Sequence, residues 1–194
     1  MFEELSLKEY NDLLGSKAPA PGGGSALAQV AAMACSLIEM AINVTTAKMS
    51  PENANFAYLI TQRDFVLRAQ KGLYKLSNDD AAAFQRIVNG LGMPKQTEQE
   101  AKVRASELQK AYHKAALIPL DVMGLCRESV RICNVRILPL LNKYVSSDCV
   151  IAVDLLRSVA RNSMLNVRAN TALIVDSTLA ASLNRQGEQI LSEL

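Results

Sequence analysis

Helix start signals recur along the whole chain and predict a structure built from helices. Ser6–Glu9 and Thr97–Glu100 have the capping-box pattern, in which a hydroxyl and an acid three residues later satisfy free backbone donors. Ser50-Pro51 and Asn78 are further N-cap signals. Apolar residues follow these signals at helical spacing, and no segment shows the strict apolar and polar alternation of a half-buried strand. We therefore predict an all-α fold, a multihelical bundle with long helices.

Glycines and prolines divide the chain into its expected helices. A short amphipathic helix stops at Gly15, and the next helix is rich in small residues that allow close packing in the middle of the bundle. Pro119 is expected to break or kink its helix because it removes a backbone donor, and Pro139 to do the same further on. The expected helices are Leu7 to Leu14, Gly24 to Lys48, Ser50 to Leu76, Asn78 to Gly90, Ala101 to Leu117 and a long helical region from Asp148 to Leu191.

Length and charge limit the kind of protein this can be. The 194 residues, 49% of them hydrophobic, can fill one sizeable core, and no repeat or linker divides them, so we predict a single domain over residues 1–194. Lys and Arg number 21 against 19 Asp and Glu, and the net charge of +2 is too small to favour nucleic acid as a partner. The absence of Trp removes the best base-stacking side chain as well.

The chain start and the cysteines favour a cytoplasmic protein. Met1–Glu4 is acidic and lacks the features of a signal peptide. Polar residues interrupt the Ala-rich run Ala26–Val44, so we interpret it as a buried central helix and expect no membrane partner. The cysteines form no C-x-x-C pair and are predicted to be buried thiols, with no metal site. They are Cys35, Cys126, Cys133 and Cys149.

The segment Pro19–Ser25 contains three consecutive glycines directly before an apolar helix. Gly22, Gly23 and Gly24 let a ligand approach the backbone closely, and a helix N-terminus presents free N–H groups and partial positive charge. The segment lacks the Gly-Lys-Ser/Thr ending of a P-loop and the Gly-x-Gly-x-x-Gly pattern, which disfavours nucleotide binding. The residues alone leave two interpretations open, a ligand site or a glycine-rich connection between helices.

Asp79 and Asp80 are the most suggestive candidates for acid–base chemistry. At the expected helix start their mutual repulsion would raise one pKa, while the helix N-terminus would lower both. Ala81–Phe84 gives Asp80 a small, apolar surrounding in which a carboxylate could act as a base. The same pattern also fits ordinary acids in a first helical turn. The single histidine, His113, belongs to no recognisable catalytic constellation.

Several motifs, taken in order, resemble the formiminotransferase-cyclodeaminase family. The resemblance covers nearly the whole chain and is to the cyclodeaminase or methenyltetrahydrofolate cyclohydrolase domain, and the transferase domain of bifunctional members has no counterpart in these residues. The sequence differs from the family pattern at Met93, where leucine is expected, and at Ala169, where a larger aliphatic residue is expected. The motifs are Pro19–Ser25, Asp80–Phe84, Met93–Lys95, Pro119-Leu120, Ser147-Asp148 and Asn166–Asn170.

The resemblance implies an all-helical, intertwined homodimer that binds a tetrahydrofolate derivative near the subunit interface. It assigns catalysis to Asp80 and folate contacts to Gly22, Gly23, Gly24 and Ser25. Further polar contacts are implied for Lys95, Asp148, Asn166 and Asn170. The anionic glutamate tail could be met by Lys95, by Arg104 or by the amides of the glycine segment.

The reaction that the resemblance implies needs a proton-transfer group and no metal or redox cofactor. Our first expectation is hydrolysis of 5,10-methenyltetrahydrofolate to 10-formyltetrahydrofolate, with Asp80 as the general acid–base. The alternative is cyclodeamination of formimidoyltetrahydrofolate with release of ammonia. A second alternative is a dimer that binds folate without catalysis.

Overall fold

The computed structural model describes all 194 residues and confirms the all-helical prediction. Six α-helices are accompanied by short 3₁₀ turns and one π-helical segment. No strand is present. The α-helices are α1 (Leu7–Leu14), α2 (Gly23–Thr46), α3 (Ala54–Leu91), α4 (Glu98–Ile132), α5 (Ser146–Thr171) and α6 (Ser177–Ser192).

Both predicted capping boxes form. At α1 the backbone N–H of Glu9 donates to Ser6 Oγ over 3.2 Å, and the N–H of Ser6 donates to the Glu9 carboxylate over 2.7 Å. At α4 the matching distances between Thr97 and Glu100 are 3.2 and 3.0 Å. Local sequence therefore sets these two helix starts correctly, because each cap satisfies donors that the helix itself leaves free.

The predicted break at Asn78 is wrong, since α3 runs through it without interruption from Ala54 to Leu91. The side-chain amide of Asn78 donates to the carbonyl of Tyr74 one turn earlier, over 2.9 Å, and its Oδ1 accepts from the N–H of Phe2 over 2.9 Å. These bonds occupy the amide inside the helix, so it caps no helix start. The true cap of α3 is Asn53, three residues after the Ser50 signal.

The predicted break at Pro119 is also wrong, whereas the disruption near Pro139 is confirmed. Pro119 is buried inside α4, which continues to Ile132, because packing in the core outweighs one lost backbone bond. The path then changes to a π-helical segment, Cys133–Ile137, and a 3₁₀ turn, Leu138–Leu140. Beyond this point the expected helical region is divided into α5 and α6, with Asp176 capping α6.

Helix α2 lies at the centre of the bundle, as its small residues predict. It packs against α3, α4 and α5. By length and composition it could cross a membrane, with a mean hydropathy of 1.6 over 18 residues, but half of that stretch is buried within the protein. One cluster of 37 buried hydrophobic residues contains its alanines and side chains from α3 to α6. The interpretation of α2 as a buried central helix is therefore confirmed.

All four cysteines are fully buried, as predicted. The side chains of Cys133, in the π-helical segment, and Cys149, in α5, lie beside each other, with their Cα atoms 7.3 Å apart. Cys35 and Cys126 are free. The spacing of 16 residues carried no signal for this proximity, which the return of the chain at Pro139 creates.

A proline at position 79 tests whether α3 is continuous. In a two-helix arrangement Asp79 would be the first helical residue, where proline is tolerated, but in the structure it lies mid-helix. We expect Asp79→Pro to lower the free energy of unfolding by about 3 kcal/mol or more. Urea denaturation measures the change. The matched control is Glu98→Pro, at the first residue of α4, and equal stability of the two variants would contradict the continuous helix.

Candidate active site

A cavity of about 340 Å³ opens where the start of α2 meets the middle of α3 and the end of α5. It brings together most of the residues singled out in the sequence, from segments up to about 150 positions apart. Its lining contains no Lys or Arg. The lining residues are Pro19, Ala20, Gly22, Gly23, Gly24, Asp80, Ala81, Phe84, Ile87, Ala115, Asn166, Ala169 and Asn170.

The carboxylate of Asp80 caps the N-terminus of α2 from the neighbouring helix. The backbone N–H of Ser25 donates to Asp80 Oδ2 over 2.9 Å. Gly22, the N-cap residue of α2, has no side chain for this purpose. The expectation that Asp80 lies at the start of its own helix is wrong, but a helix N-terminus does contact it, and that N-terminus belongs to α2. The contact joins residues 55 positions apart.

Gly24 is the residue that permits this contact. A Cβ atom at position 24 would overlap Asp80 Oδ1 and would lie 2.6 Å from Cγ and 2.8 Å from Oδ2. At Gly22 and Gly23 an added Cβ would meet no atom within 4 Å. Of the three glycines, Gly24 alone is therefore required for the approach of the carboxylate, while the N–H groups of Gly23 and Gly24 have no intrahelical acceptor.

Burial raises the pKa of Asp80 above its usual range, and the hydrogen bond from Ser25 offsets part of that increase. Oδ2 receives this bond, while Oδ1 has no donor from the protein and remains available for proton transfer. A carboxyl group with a raised pKa is a stronger base once ionised and is closer to protonation at neutral pH. Asp80 therefore has the environment of a general acid–base.

Asp79 does not share this environment. Successive residues of a helix point about 100° apart, so the neighbour of Asp80 is directed away from the cavity. Its carboxylate forms an ion pair with Lys75 one turn earlier, and its side chain is 32% exposed. The two aspartates therefore do not form a catalytic pair facing one cavity.

Ser25 lies behind the cavity and holds α2 against α3. Its hydroxyl donates to the carbonyl of Ser77 over 2.6 Å, and the Ser77 hydroxyl donates back to the carbonyl of Ser25 over 3.2 Å. Gln29 Nε2 donates to Ser77 Oγ over 3.1 Å. The side chain of Ser25 is fully buried and does not line the cavity. Sequence reasoning missed Ser77, although the polar Gln29 within an apolar helix was a signal for such a network.

Tyr10 of α1 is a second residue that sequence reasoning missed. Its ring is buried and packs edge-to-face on Phe2, with the ring centroids 5.7 Å apart. Burial raises the pKa of Tyr10, and the charge of Asp80 raises it further. The Tyr10 hydroxyl is buried and has no hydrogen-bond partner within the protein. The first helix therefore places a buried hydroxyl close enough to feel the charge of Asp80, although its sequence indicated only an amphipathic surface helix.

The end of α5 supplies two asparagines to the cavity. Asn170 Nδ2 donates to the carbonyls of Ala115, over 3.1 Å, and Asn166, over 3.0 Å. Asn166 Nδ2 is buried and has no partner. Both residues lie one turn apart on α5, on the side facing the cavity.

The structure does not bring Lys95 and Asp148 to this cavity. Lys95 is exposed in the connection between α3 and α4, and Asp148 lies in the first turn of α5. Asn166 is 18 residues further along that helix, a distance of about 27 Å. Arg104 is also engaged elsewhere, because its Nε and Nη2 donate to the carbonyls of Gly90 and Leu91 at the end of α3, over 3.2 and 3.1 Å. Substrate contact by Lys95 and Asp148 stays a prediction.

The two departures from the family pattern have different positions. Ala169 lines the cavity, so its small side chain enlarges the space beside Asn170. Met93 lies in a separate cavity of about 480 Å³ between α3 and α4. Neither replaces a polar group of the candidate site. His113 lies beside the connection from α5 to α6, outside the cavity, and no group of three or more His, Cys, Asp or Glu side chains is placed to hold a metal ion.

Comparisons with a family model, with known proteins and with a solved structure all indicate the same family. Residues 6–189 match the family model described as formiminotransferase-cyclodeaminase. The methenyltetrahydrofolate cyclohydrolase of Methylorubrum extorquens is 30% identical, over 97% of this chain and 89% of that protein. The formimidoyltransferase-cyclodeaminase of Sus scrofa is 25% identical over 96% of this chain, which spans 34% of that protein. A solved structure of formiminotetrahydrofolate cyclodeaminase from Thermotoga maritima has a TM-score of 0.87 at 28% identity, covering 100% of this chain and 91% of the other.

Substitution of Gly24 tests the contact between Asp80 and α2. We expect Gly24→Ala to displace the carboxylate, to leave the Ser25 N–H without its acceptor, and to lower the free energy of unfolding by about 1–3 kcal/mol. Because the hydrogen bond holds the pKa of Asp80 down, its loss should also raise that pKa, which an NMR titration of the carboxyl carbon measures. Gly23→Ala is the control and should change neither quantity appreciably. Identical behaviour of the two variants would contradict the assigned contact.

Proposed function

The chain belongs to the formiminotransferase-cyclodeaminase family, and on this premise we propose that it is a methenyltetrahydrofolate cyclohydrolase. It would add water to 5,10-methenyltetrahydrofolate and release 10-formyltetrahydrofolate. The observation that carries the proposal is the carboxylate of Asp80, which faces the cavity and is held there by the N-terminus of α2. The similarity to the cyclohydrolase of Methylorubrum extorquens, over nearly the full length of both proteins, supports this choice of reaction.

The proposed reaction uses Asp80 in two proton transfers. Asp80 Oδ1 first accepts a proton from the water that adds to the electrophilic carbon between N5 and N10, giving a neutral adduct with a hydroxyl on that carbon. The bond from this carbon to N5 then breaks. Asp80 gives the proton it holds to N5, and the hydroxyl oxygen loses its own proton to solvent and becomes the formyl carbonyl on N10. Because the substrate is a cation and the product is neutral, one proton is released overall.

The remaining cavity residues would bind and orient the folate. The free N–H groups of Gly23 and Gly24 can donate to it, and Phe84 and Ile87 provide an apolar wall for a ring. Ser25 would act indirectly, through its N–H to Asp80 and its hydroxyl to Ser77. The step requires no metal ion or redox cofactor. As the lining contains no cation, a positive charge for the glutamate tail must come from outside it.

Cyclodeamination is the alternative reaction. N10 would attack the formimidoyl carbon carried on N5, and ammonia would leave from a similar tetrahedral centre, so the same carboxylate can move the protons. The similarity in fold to the cyclodeaminase of Thermotoga maritima favours this alternative. A dimer that binds folate without catalysis is a second alternative, against which the placement of Asp80 argues.

A side-by-side assay distinguishes the three functions. The cyclohydrolase consumes methenyltetrahydrofolate faster than buffer does and releases no ammonia. The cyclodeaminase forms the methenyl compound from formimidoyltetrahydrofolate with one ammonia per turnover. A folate-binding protein without activity would consume neither compound faster than buffer does. That result would overturn the enzymatic proposal.

We further propose that the protein is a cytoplasmic homodimer whose site lies near the interface. Helix α2 leaves one apolar face partly uncovered, with Val30 37% and Met33 45% exposed. This face continues along the helix from the cavity end and is long enough for a second helix to pack against it. Its residues are Leu27, Val30, Met33, Leu37, Met40 and Val44.

Replacement of Asp80 tests the catalytic assignment. We expect Asp80→Asn to lower kcat by about 10²- to 10⁴-fold while ligand binding is retained. Because the pKa of Asp80 is raised in the folded state, its protonated form favours folding, and this stabilisation is lost as the pH rises through that pKa. The variant removes a buried charge and should therefore be no less stable than the wild type at pH 7 in thermal unfolding.

The matched control for Asp80→Asn is Asp79→Asn, whose carboxylate faces Lys75. It should keep the wild-type rate and the wild-type fall in rate at acidic pH, where Asp80 becomes protonated. An unchanged rate in Asp80→Asn would show that another group transfers the proton.

A charge on the uncovered face of α2 tests the dimer. We expect Met33→Glu to shift the protein from dimer to monomer in sedimentation equilibrium, since the carboxylate would be buried at the interface. Val135→Glu, at an exposed position of the π-helical segment, is the control and should remain dimeric. A wild type that sediments as a monomer, or a Met33→Glu variant that remains dimeric, contradicts this interface.

A further inference from the structure

The amide group of Asn170 has a fixed orientation in the cavity. Its two N–H hydrogens have two backbone acceptors, the carbonyls of Ala115 and Asn166, at 3.1 and 3.0 Å. An inverted amide would place its oxygen against both carbonyl oxygens, which is unfavourable. Oδ1 receives no hydrogen bond from the protein. Asn170 can therefore offer a ligand only a hydrogen-bond acceptor.

Asn166 has the opposite character. Asn166 lines the cavity, and its Nδ2 is buried and has no acceptor within the protein. A buried N–H donor without a partner is unfavourable, and it becomes satisfied when a ligand supplies an acceptor. Asn166 and Asn170 are four residues apart on α5, so the donor and the acceptor are neighbours on one helical face.

We infer that this asparagine pair recognises the 4-oxo edge of the pterin ring and so determines which heterocycle the site accepts. Asn166 Nδ2 donates to the O4 carbonyl, and Asn170 Oδ1 accepts from the adjacent N3–H or the 2-amino group. The inference rests on the proposed folate function and adds to it the atoms by which the ring is read. Neither asparagine takes part in proton transfer, which stays with Asp80 on α3.

The pair makes a distinction that shape alone cannot make. In a 4-amino-4-deoxy analogue an amino group replaces O4, and it presents a donor to the donor of Asn166. The two ligands have nearly the same size, so an apolar cavity would accept both about equally. A site with a buried donor at this point rejects the analogue, because one N–H would stay unpaired.

Equilibrium binding to two stable probes tests the inference. Calorimetry would compare 5-formyltetrahydrofolate with its 4-amino-4-deoxy counterpart. We expect the wild type to bind the 4-oxo probe roughly 5- to 150-fold more tightly. Asn166→Asp replaces the donor with an acceptor and should reverse this preference. Asn166→Ala should abolish it, and this variant also serves as the test should the aspartate variant fail to fold. Asn162→Asp, one turn earlier at an exposed position, is the matched control and should keep the wild-type preference.

The outcomes separate the inference from the proposed function. If the wild type binds neither probe, the folate proposal itself fails, and the inference fails with it. If the wild type binds the 4-oxo probe but the ratio of the two affinities is the same in all variants, the folate proposal stands and the assignment of the asparagine pair is overturned.

Discussion

The hydrogen bond from the Ser25 N–H to the Asp80 carboxylate is the contact on which the candidate site depends. It gives the start of α2 the cap that Gly22 cannot provide, and it fixes the one carboxylate in the cavity. The same interaction thus stabilises a helix end and positions a chemical group. It also moderates the effect of burial, because a donor at the helix N-terminus favours the ionised carboxylate that burial disfavours. The pKa of Asp80 is set by the balance between these two effects.

Three helices contribute different chemical groups to the cavity. The first turn of α2 supplies free N–H groups, and the middle of α3 supplies the carboxylate and an apolar wall. The end of α5 supplies two side-chain amides, of which that of Asn170 is held in one orientation by its hydrogen bonds. Behind the cavity, the paired bonds between Ser25 and Ser77 hold α2 and α3 together. Because these supporting bonds lie within the core, the groups facing the cavity need little reorganisation when a ligand binds.

Much of this arrangement could be predicted from local sequence. Capping boxes predict two helix starts, and the residues themselves single out the glycine segment and Asp80, whereas the two asparagines follow only from the family resemblance. The failures at Asn78 and Pro119 have a common cause. Each residue carries a strong local signal, which tertiary contacts override, namely a bond from Phe2 to Asn78 and burial of Pro119 in the core. The link between Ser25 and Asp80 spans 55 positions, and no local pattern encodes such a distance.

The uninterrupted course of α3 has a consequence for how this protein can change without losing its site. Asp80 is carried in the interior of a helix of 38 residues, about 57 Å long, and is anchored sideways to α2. The connections on either side of this helix, at 47–53 and 92–97, hold none of the residues that line the cavity. A segment added in the connection at 47–53 would therefore leave the carboxylate where it is.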